Sequence, residues 1–162
     1  MPNFMNSARC AMLGAVLCSV GLAAQAIACE APAGVSELRQ QVINWMNSER
    51  RASGFPDLRA SSALQSSATA HACDMATRGY FSHEGAGGPS LTQRLRRAGY
   101  RFRAANENIA KTSTTSVPRV SEIWRNSPGH MENVNAANVR EVGVGIVEAG
   151  GKVYWVTNAG KS

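Results

Sequence analysis

The chain has 162 residues, with 17 lysines and arginines against 11 aspartates and glutamates, so its net charge is +6 at pH 7. This length excludes a large multidomain assembly, and the low aromatic content without a nucleic-acid-binding motif argues against nucleic acid as a partner. The arginine-rich stretch 94–103 is predicted to be a solvated face, and the alternative is a contact surface for phosphate, lipid or an envelope polymer. We expect a monomer.

The N-terminus is typical of a secretory signal peptide over residues 1–28. A polar segment that ends in Arg9 precedes the apolar run Cys10–Ala24, and small residues lead to a cleavage site before Cys29. The apolar run is shorter than the span of about 20 residues that crosses a membrane, so an uncleaved anchor is only the alternative. Lipid attachment at Cys29 is a second alternative. The prediction is export to the periplasm or secretion.

Removal of residues 1–28 leaves two cysteines, Cys29 and Cys73. Two cysteines in an oxidising compartment predict a single disulfide, which would tie the N-terminal linker, residues 29–36, to the second helix. Lipidation of Cys29 would abolish this bridge, so the two predictions exclude each other. Residues 37–160 are predicted to form the folded domain, a length that allows one real core.

Two amphipathic helices are predicted after the linker. Ser36 is the expected N-cap of the first helix, which ends before Gly54. The second helix is expected to begin at Ser61 or Ser62 and to stop at Gly79. Both carry apolar residues at helical spacing, namely Leu38, Val42, Trp45 and Met46 in the first and Leu64, Ala68, Ala72 and Met75 in the second.

Shorter elements follow. Glycines and a proline predict an irregular loop over Tyr80–Ser90, and a short helix is expected over Leu91–Ala98. The segment Asn106–Lys111 is predicted to be briefly extended. Ser116–Asn126 is predicted to be a third long helix with Pro118 in its first turn.

A Pro-Gly turn at 128–129 is expected to deliver His130, and a β-hairpin then closes the chain. Apolar residues alternate along its first strand, and the returning strand is "VYWV" at 153–156. Gly143 and Gly145 remove side chains from one face of this sheet, which would let a helix approach closely. Helices followed by a hairpin predict an α+β fold, a small antiparallel sheet flanked by helices.

Three side chains are candidates for a functional site: His83, Glu107 and His130. Each lies in a polar segment at the end of an element. Two neutral imidazoles and a carboxylate suit an open zinc site with water in the remaining position, or a proton-transfer pair. The spacing alone is a weak signal, because no HExxH or paired-cysteine signature accompanies it. His71 lies on the apolar stripe of the second helix and is predicted to be a core histidine.

Taken together, five segments resemble the bacterial CAP superfamily, also called SCP or PR-1-like. They occur in the family's order over Leu38–Val156, and they are "HACDMATRGYFSH", "QRLRRAGY", "NENIAK", "IWRNSPGHMENV" and "EVGVGI" with "VYWV". The resemblance implies an α-β-α sandwich with a central cleft, usually in a secreted protein.

In the better-studied relatives this cleft holds two histidines and two glutamates, which bind divalent metal in some cases. By motif, the resemblance maps His83, Glu107 and His130 onto three of these positions. Ser127 stands where the second glutamate would fall, with Glu132 as the substitute carboxylate. Asn108 and Ser127 are expected to line the cleft.

The resemblance implies no single activity, because fold does not determine function. The first hypothesis is a secreted binding or interaction protein of the cell envelope or extracellular space, whose cleft is a candidate site for a divalent metal such as zinc. The second is a metal-dependent hydrolase that uses the same cleft, and the third is a lipid- or sterol-binding protein. The missing fourth ligand argues mildly against a tight metalloenzyme.

Overall fold

The computed structural model describes residues 29–85 and 87–162. The predicted signal peptide, residues 1–28, lies outside the described residues. Within the described part, no helix is long and apolar enough to cross a membrane. Its elements, in chain order, are α1 Val35–Ala52, β1 Arg59–Ala60, α2 Ser62–Arg78, α3 Leu91–Arg97, β2 Ala104–Thr112, α4 Val117–Arg125, α5 Pro128–Val134, β3 Glu141–Ala149 and β4 Lys152–Lys161.

The strands form one mixed sheet in the order β1-β3-β4-β2. The predicted hairpin is confirmed, with Ala149 opposite Lys152 across the turn between β3 and β4. Strand β2 runs antiparallel to the other edge of β4 over nine residue pairs, so the predicted brief extended segment is longer than expected. The short strand β1 pairs in parallel with β3 and was not predicted, because two residues carry no periodic pattern.

Helices cover both faces of the sheet, so the α-β-α sandwich is confirmed. On one face, α1, α4 and α5 enclose the larger core, in which Trp124 and Trp155 are fully buried. On the other face, α2 packs Ala68, Ala72 and Met75 against the sheet. Each large apolar side chain buried in this way contributes about 1.5–3 kcal/mol relative to exposure.

The close approach of α2 to the sheet depends on two glycines of β3, as predicted. A Cβ on Gly143 would lie 1.9 Å from the backbone nitrogen of Gln65, and one on Gly145 would lie 2.3 Å from the carbonyl carbon of Ala68. No L side chain fits at those distances. The two glycines therefore set the spacing between α2 and the sheet.

Most of the helix ends lie where the sequence predicts them. Ser61 caps α2 by accepting a hydrogen bond from the Leu64 amide, and Gly79 ends the helix at φ 70°. The predicted N-cap at Ser36 is wrong. The N-cap is Gly34, two residues earlier, which adopts a left-handed conformation and provides no side-chain cap, and α1 begins at Val35.

The segment after α4 is not a simple turn. Pro128 starts the seven-residue helix α5, with Ser127 at the N-cap position and His130 inside the helix. The expectation of a Pro-Gly turn is therefore wrong, because proline at the first helical position loses no backbone hydrogen bond and has a suitable φ. Val134 anchors the helix in the core, where it is fully buried.

The predicted disulfide is present. Cys29 and Cys73 are bonded across a sequence separation of 44 residues. The bond attaches the N-terminal segment to α2, and Glu30 pairs with the backbone of Glu148 at 2.7 and 3.0 Å. The start of the described chain is therefore held at the hairpin.

Candidate functional site

Helix α5 is fastened to β2 by asparagine side chains on both sides of Glu107. Asn106 Nδ2 donates to the Asn133 carbonyl at 3.1 Å, and Asn108 Nδ2 donates to the His130 carbonyl at 3.0 Å. In return, Asn133 Nδ2 donates to the Glu107 carbonyl at 3.1 Å and to Asn108 Oδ1 at 2.8 Å. This amide network fixes the position of the helix that carries His130 relative to the strand that carries Glu107.

Glu107 is the centre of the site, and its side chain is only 2% exposed. Its Oε2 accepts a hydrogen bond from Arg94 Nη2 at 2.6 Å, and its Oε1 lies 3.1 Å from His83 Nδ1. His71 Nε2 lies 3.8 Å from the same Oε1. Oriented so that its oxygen accepts from Ser67 Oγ, the Asn158 amide also donates to Oε2 at 3.0 Å. Both carboxylate oxygens are therefore engaged by partners within the protein.

The sequence analysis missed Arg94. It was grouped with the solvated arginines, but it is buried, and this part of that prediction is wrong. Besides binding Glu107, its Nη1 donates to the carbonyls of His83 and Pro89, both at 2.9 Å. Arg94 thus attaches the irregular loop to β2. The signal that could have placed Arg94 on the inner face of α3 is its spacing of three residues from Leu91, which forms an apolar i, i+4 pair with Leu95.

His71 is buried, as the apolar stripe predicts, and it lies behind the carboxylate. Its Nε2 is 2.9 Å from the Ser82 carbonyl, so this nitrogen carries the proton and donates. Burial lowers the pKa of His71, and the nearby Arg94 acts in the same direction, whereas the Glu107 carboxylate opposes the shift. The imidazole is therefore neutral at pH 7.

The other two histidines lie on the solvent side of the carboxylate. The His83 side chain is 57% exposed, whereas His130 is half-buried. Burial lowers the pKa of His130, and the proximity of His83 lowers it further. His130 Nδ1 is buried and has no hydrogen-bond partner within the described part of the chain. The structure thus places His83 in direct contact with Glu107, whereas His130 is close to His83 and is held by its carbonyl to Asn108 of the same strand.

The two residues expected to line the cleft occupy different environments. Asn108 is almost fully buried and serves to hold α5. Ser127 is half-buried before the first turn of α5, and its side chain makes no capping hydrogen bond. Glu132, the substitute carboxylate, is exposed. The cleft-lining role of Asn108 and Ser127 stays a prediction.

The donor set does not fit a tight three-ligand zinc site. Within residues 29–85 and 87–162, no group of three or more His, Cys, Asp or Glu side chains is arranged to hold a metal ion. Glu107 would have to leave the Arg94 guanidinium to ligate a cation, and the guanidinium already supplies the neighbouring positive charge. The roles of His83, Glu107 and His130 as metal ligands stay a prediction.

Comparison with known proteins places the chain in a family. The family model for the cysteine-rich secretory protein family, CAP, matches residues 43–159. The chain therefore belongs to the CAP family. It is 35% identical to the protein YkwD of Bacillus subtilis over 120 residues, which are 74% of this chain and 46% of that protein. The chain thus matches less than half of the length of this relative.

Solved structures agree with the family assignment. An extracellular protein of Bacillus anthracis that contains an SCP domain superposes with a TM-score of 0.72 at 27% identity, over 78% of this chain and 41% of that chain. An outer surface protein of Borrelia burgdorferi has a TM-score of 0.71 at 20% identity, over 77% of this chain and 92% of that chain. The second likeness shows the fold alone.

Proposed function

We propose that the protein is an exported binding module of the cell envelope or extracellular space, and that His83 and His130 form its contact surface. The observation that carries this proposal is the full engagement of the Glu107 carboxylate by Arg94 and His83. A carboxylate held in this way orients an imidazole and is poorly placed to ligate a metal or to take a proton from water.

The charge of the site favours a neutral polar ligand. Glu107 and Arg94 compensate each other, and the lowered pKa of His130 keeps that imidazole neutral at pH 7. A neutral imidazole such as that of His130 exchanges hydrogen bonds with hydroxyl and amide groups. We therefore propose the hydroxyl- and amide-rich part of an envelope polymer as the ligand class.

Two observations support export. Residues 1–28 have the pattern of a signal peptide, and the Cys29–Cys73 disulfide is a bond that persists in oxidising compartments. A similar protein of Bacillus anthracis is also described as extracellular. Detection of the mature protein outside the cytoplasm, with an N-terminus at Cys29, would test this part.

The binding proposal is tested by co-sedimentation of the mature protein with purified bacterial peptidoglycan. We expect the protein to pellet with the polymer, and the His83→Ala and His130→Ala variants to lose at least fivefold in affinity. Glu132→Gln is the matched control, because Glu132 lies on the same helix as His130 but is exposed. Equal binding by all four proteins would contradict the proposal.

A zinc titration by calorimetry at pH 7.5 and pH 5.5 separates this function from a metalloenzyme. We expect no tight one-to-one binding, since only two imidazoles are free to ligate. Saturable binding that weakens at pH 5.5 and fails in both His83→Ala and His130→Ala would instead support the metal site, because imidazole ligands must be deprotonated.

The contact between Glu107 and His83 favours one second candidate, a hydrolase in which His83 is the general base. A carboxylate on Nδ1 leaves the opposite ring nitrogen to accept a proton, which is the arrangement of a catalytic His-carboxylate pair. Turnover of peptide or ester substrates that falls at least a hundredfold in His83→Ala would support it. Lipid binding stays a prediction.

A further inference from the structure

A cavity lies between α2 and α3. Its volume is about 530 Å³, within the roughly 300–1,000 Å³ typical of small-ligand sites. It contains neither His83 nor His130, so it is separate from the surface proposed above. Arg94 and His71, both buried, belong to its lining.

The walls of this cavity combine small apolar side chains with charged groups of both signs. Ala70, Pro89 and Ala98 supply the apolar part. Arg97 lies on the α3 side and has no ion pair with any residue that the structure describes. Asp74 faces the cavity from α2 and interacts with Tyr80 and, at 3.6 Å, with Arg78, which also lines the cavity.

This mixture selects a particular chemistry. An exposed guanidinium without a counter-ion suits a single carboxylate, which it binds in a planar two-point geometry. The Asp74 carboxylate in the same cavity accepts hydrogen bonds, and a peptide N–H group is a suitable donor to it. The hydroxyl of Ser66, which is exposed at the cavity, adds another hydrogen-bonding group. Ala70, Pro89 and Ala98 offer apolar contacts to the side chains of such a ligand.

We propose that the α2–α3 cavity binds the free C-terminal end of a short peptide with small apolar side chains. The terminal carboxylate pairs with Arg97, a peptide N–H donates to Asp74, and the side chains contact Ala70 and Ala98. Charge complementarity carries the assignment, since a peptide C-terminus offers one negative charge together with N–H donors.

The test uses two ligands that differ only in charge, N-acetyl-Ala-Ala-Ala and its C-terminal amide. Binding to the mature protein is measured by calorimetry and by the amide shifts of α2 and α3 in NMR spectra. We expect saturable binding of the acid and at least tenfold weaker binding of the amide. Arg97→Gln should lower the affinity for the peptide acid at least fivefold and leave the affinity for the amide unchanged.

Arg96→Gln is the matched control. Arg96 is the neighbouring exposed arginine, but it lies 6.0 Å from the Phe102 ring and does not line the cavity. We expect this variant to bind both peptides as the wild type does. Equal losses in the two arginine variants would indicate a general charge effect and overturn the proposal.

Two further results would also overturn it. Acid and amide that bind with equal affinity would exclude recognition of the carboxylate. Butanoate that binds as tightly as the peptide acid would show that a free small organic acid suffices, and the peptide assignment would fall. If peptidoglycan binding fails while the peptide acid binds as expected, only the function proposed for the histidine surface is lost.

Discussion

Arg94 Nη2 and Glu107 Oε2 are 2.6 Å apart, and both side chains are more than nine-tenths buried. The pair links α3 to β2 and, through the second guanidinium nitrogen, to the carbonyls of the 80–90 loop. A buried ion pair contributes modestly as a whole, but removal of one partner leaves an uncompensated charge in a poorly solvated place. Loss of either Arg94 or Glu107 alone is therefore expected to destabilise the site.

The first prediction concerns this pair. Arg94→Met should lower the free energy of unfolding by about 3–5 kcal/mol, because it leaves the buried Glu107 carboxylate without its positively charged partner. Urea denaturation measures the change. Arg96→Met, the control on the exposed side of α3, should cost under about 1 kcal/mol. The double variant Arg94→Met with Glu107→Leu should recover much of the loss, and a double variant no more stable than the single one would contradict the explanation.

The second prediction concerns the spacing of α2 and the sheet. Gly143→Ala should destabilise the protein by about 3 kcal/mol, near the upper end of the usual range for overpacking, since its Cβ would meet helix backbone. Gly129→Ala is the control, because a Cβ there meets nothing within 4 Å. The control should be neutral or stabilising, as expected for Gly-to-Ala in a helix. Similar stabilities for the two variants would refute the close approach.

The third prediction concerns pH. The pKa of His71 is lowered in the folded state, chiefly by burial, so the unfolded chain takes up the proton at a higher pH than the folded protein does. Stability should therefore be constant above about pH 7.5 and fall as pH drops through 6.5, by at most about 1.4 kcal/mol per pH unit for this group. Urea midpoints at pH 7.5, 6.5 and 5.5 measure it. In His71→Gln the free energy of unfolding should fall less steeply with decreasing pH. An unchanged pH dependence would show that another group causes the effect.

The fourth prediction concerns the disulfide. Reduction of Cys29–Cys73 should cost about 4 kcal/mol in the chain-entropy model, given the 44-residue separation. Urea denaturation with and without a phosphine reductant measures this. A Cys29→Ser, Cys73→Ser double variant should be insensitive to the reductant. An equal response from the double variant would mean that the reductant acts on something other than this bond.

Much of the architecture could be predicted because its signals are local. Ser61 and Gly79 delimit α2 through cap chemistry that depends on a few neighbouring residues. Alternation along β3 predicted the hairpin, and the glycines at 143 and 145 predicted a close helix. The cysteine count predicted the disulfide. Family motifs predicted His83, Glu107 and His130 as residues of one site; the structure places His83 against Glu107, and the roles of the three residues stay predictions.

The remaining features depend on contacts that no local pattern records. Arg94 resembles its exposed neighbours in sequence, and only the placement of α3 against β2 gives it a buried carboxylate as partner. Helix α5 is fastened to β2 by amides that are 25 and 26 residues apart in the chain, where a turn was expected. The main helices and strands, the disulfide and the family membership follow from local patterns and motifs. Which charges are buried together follows only from the folded arrangement, because the free energy of a charge depends on its surroundings in space.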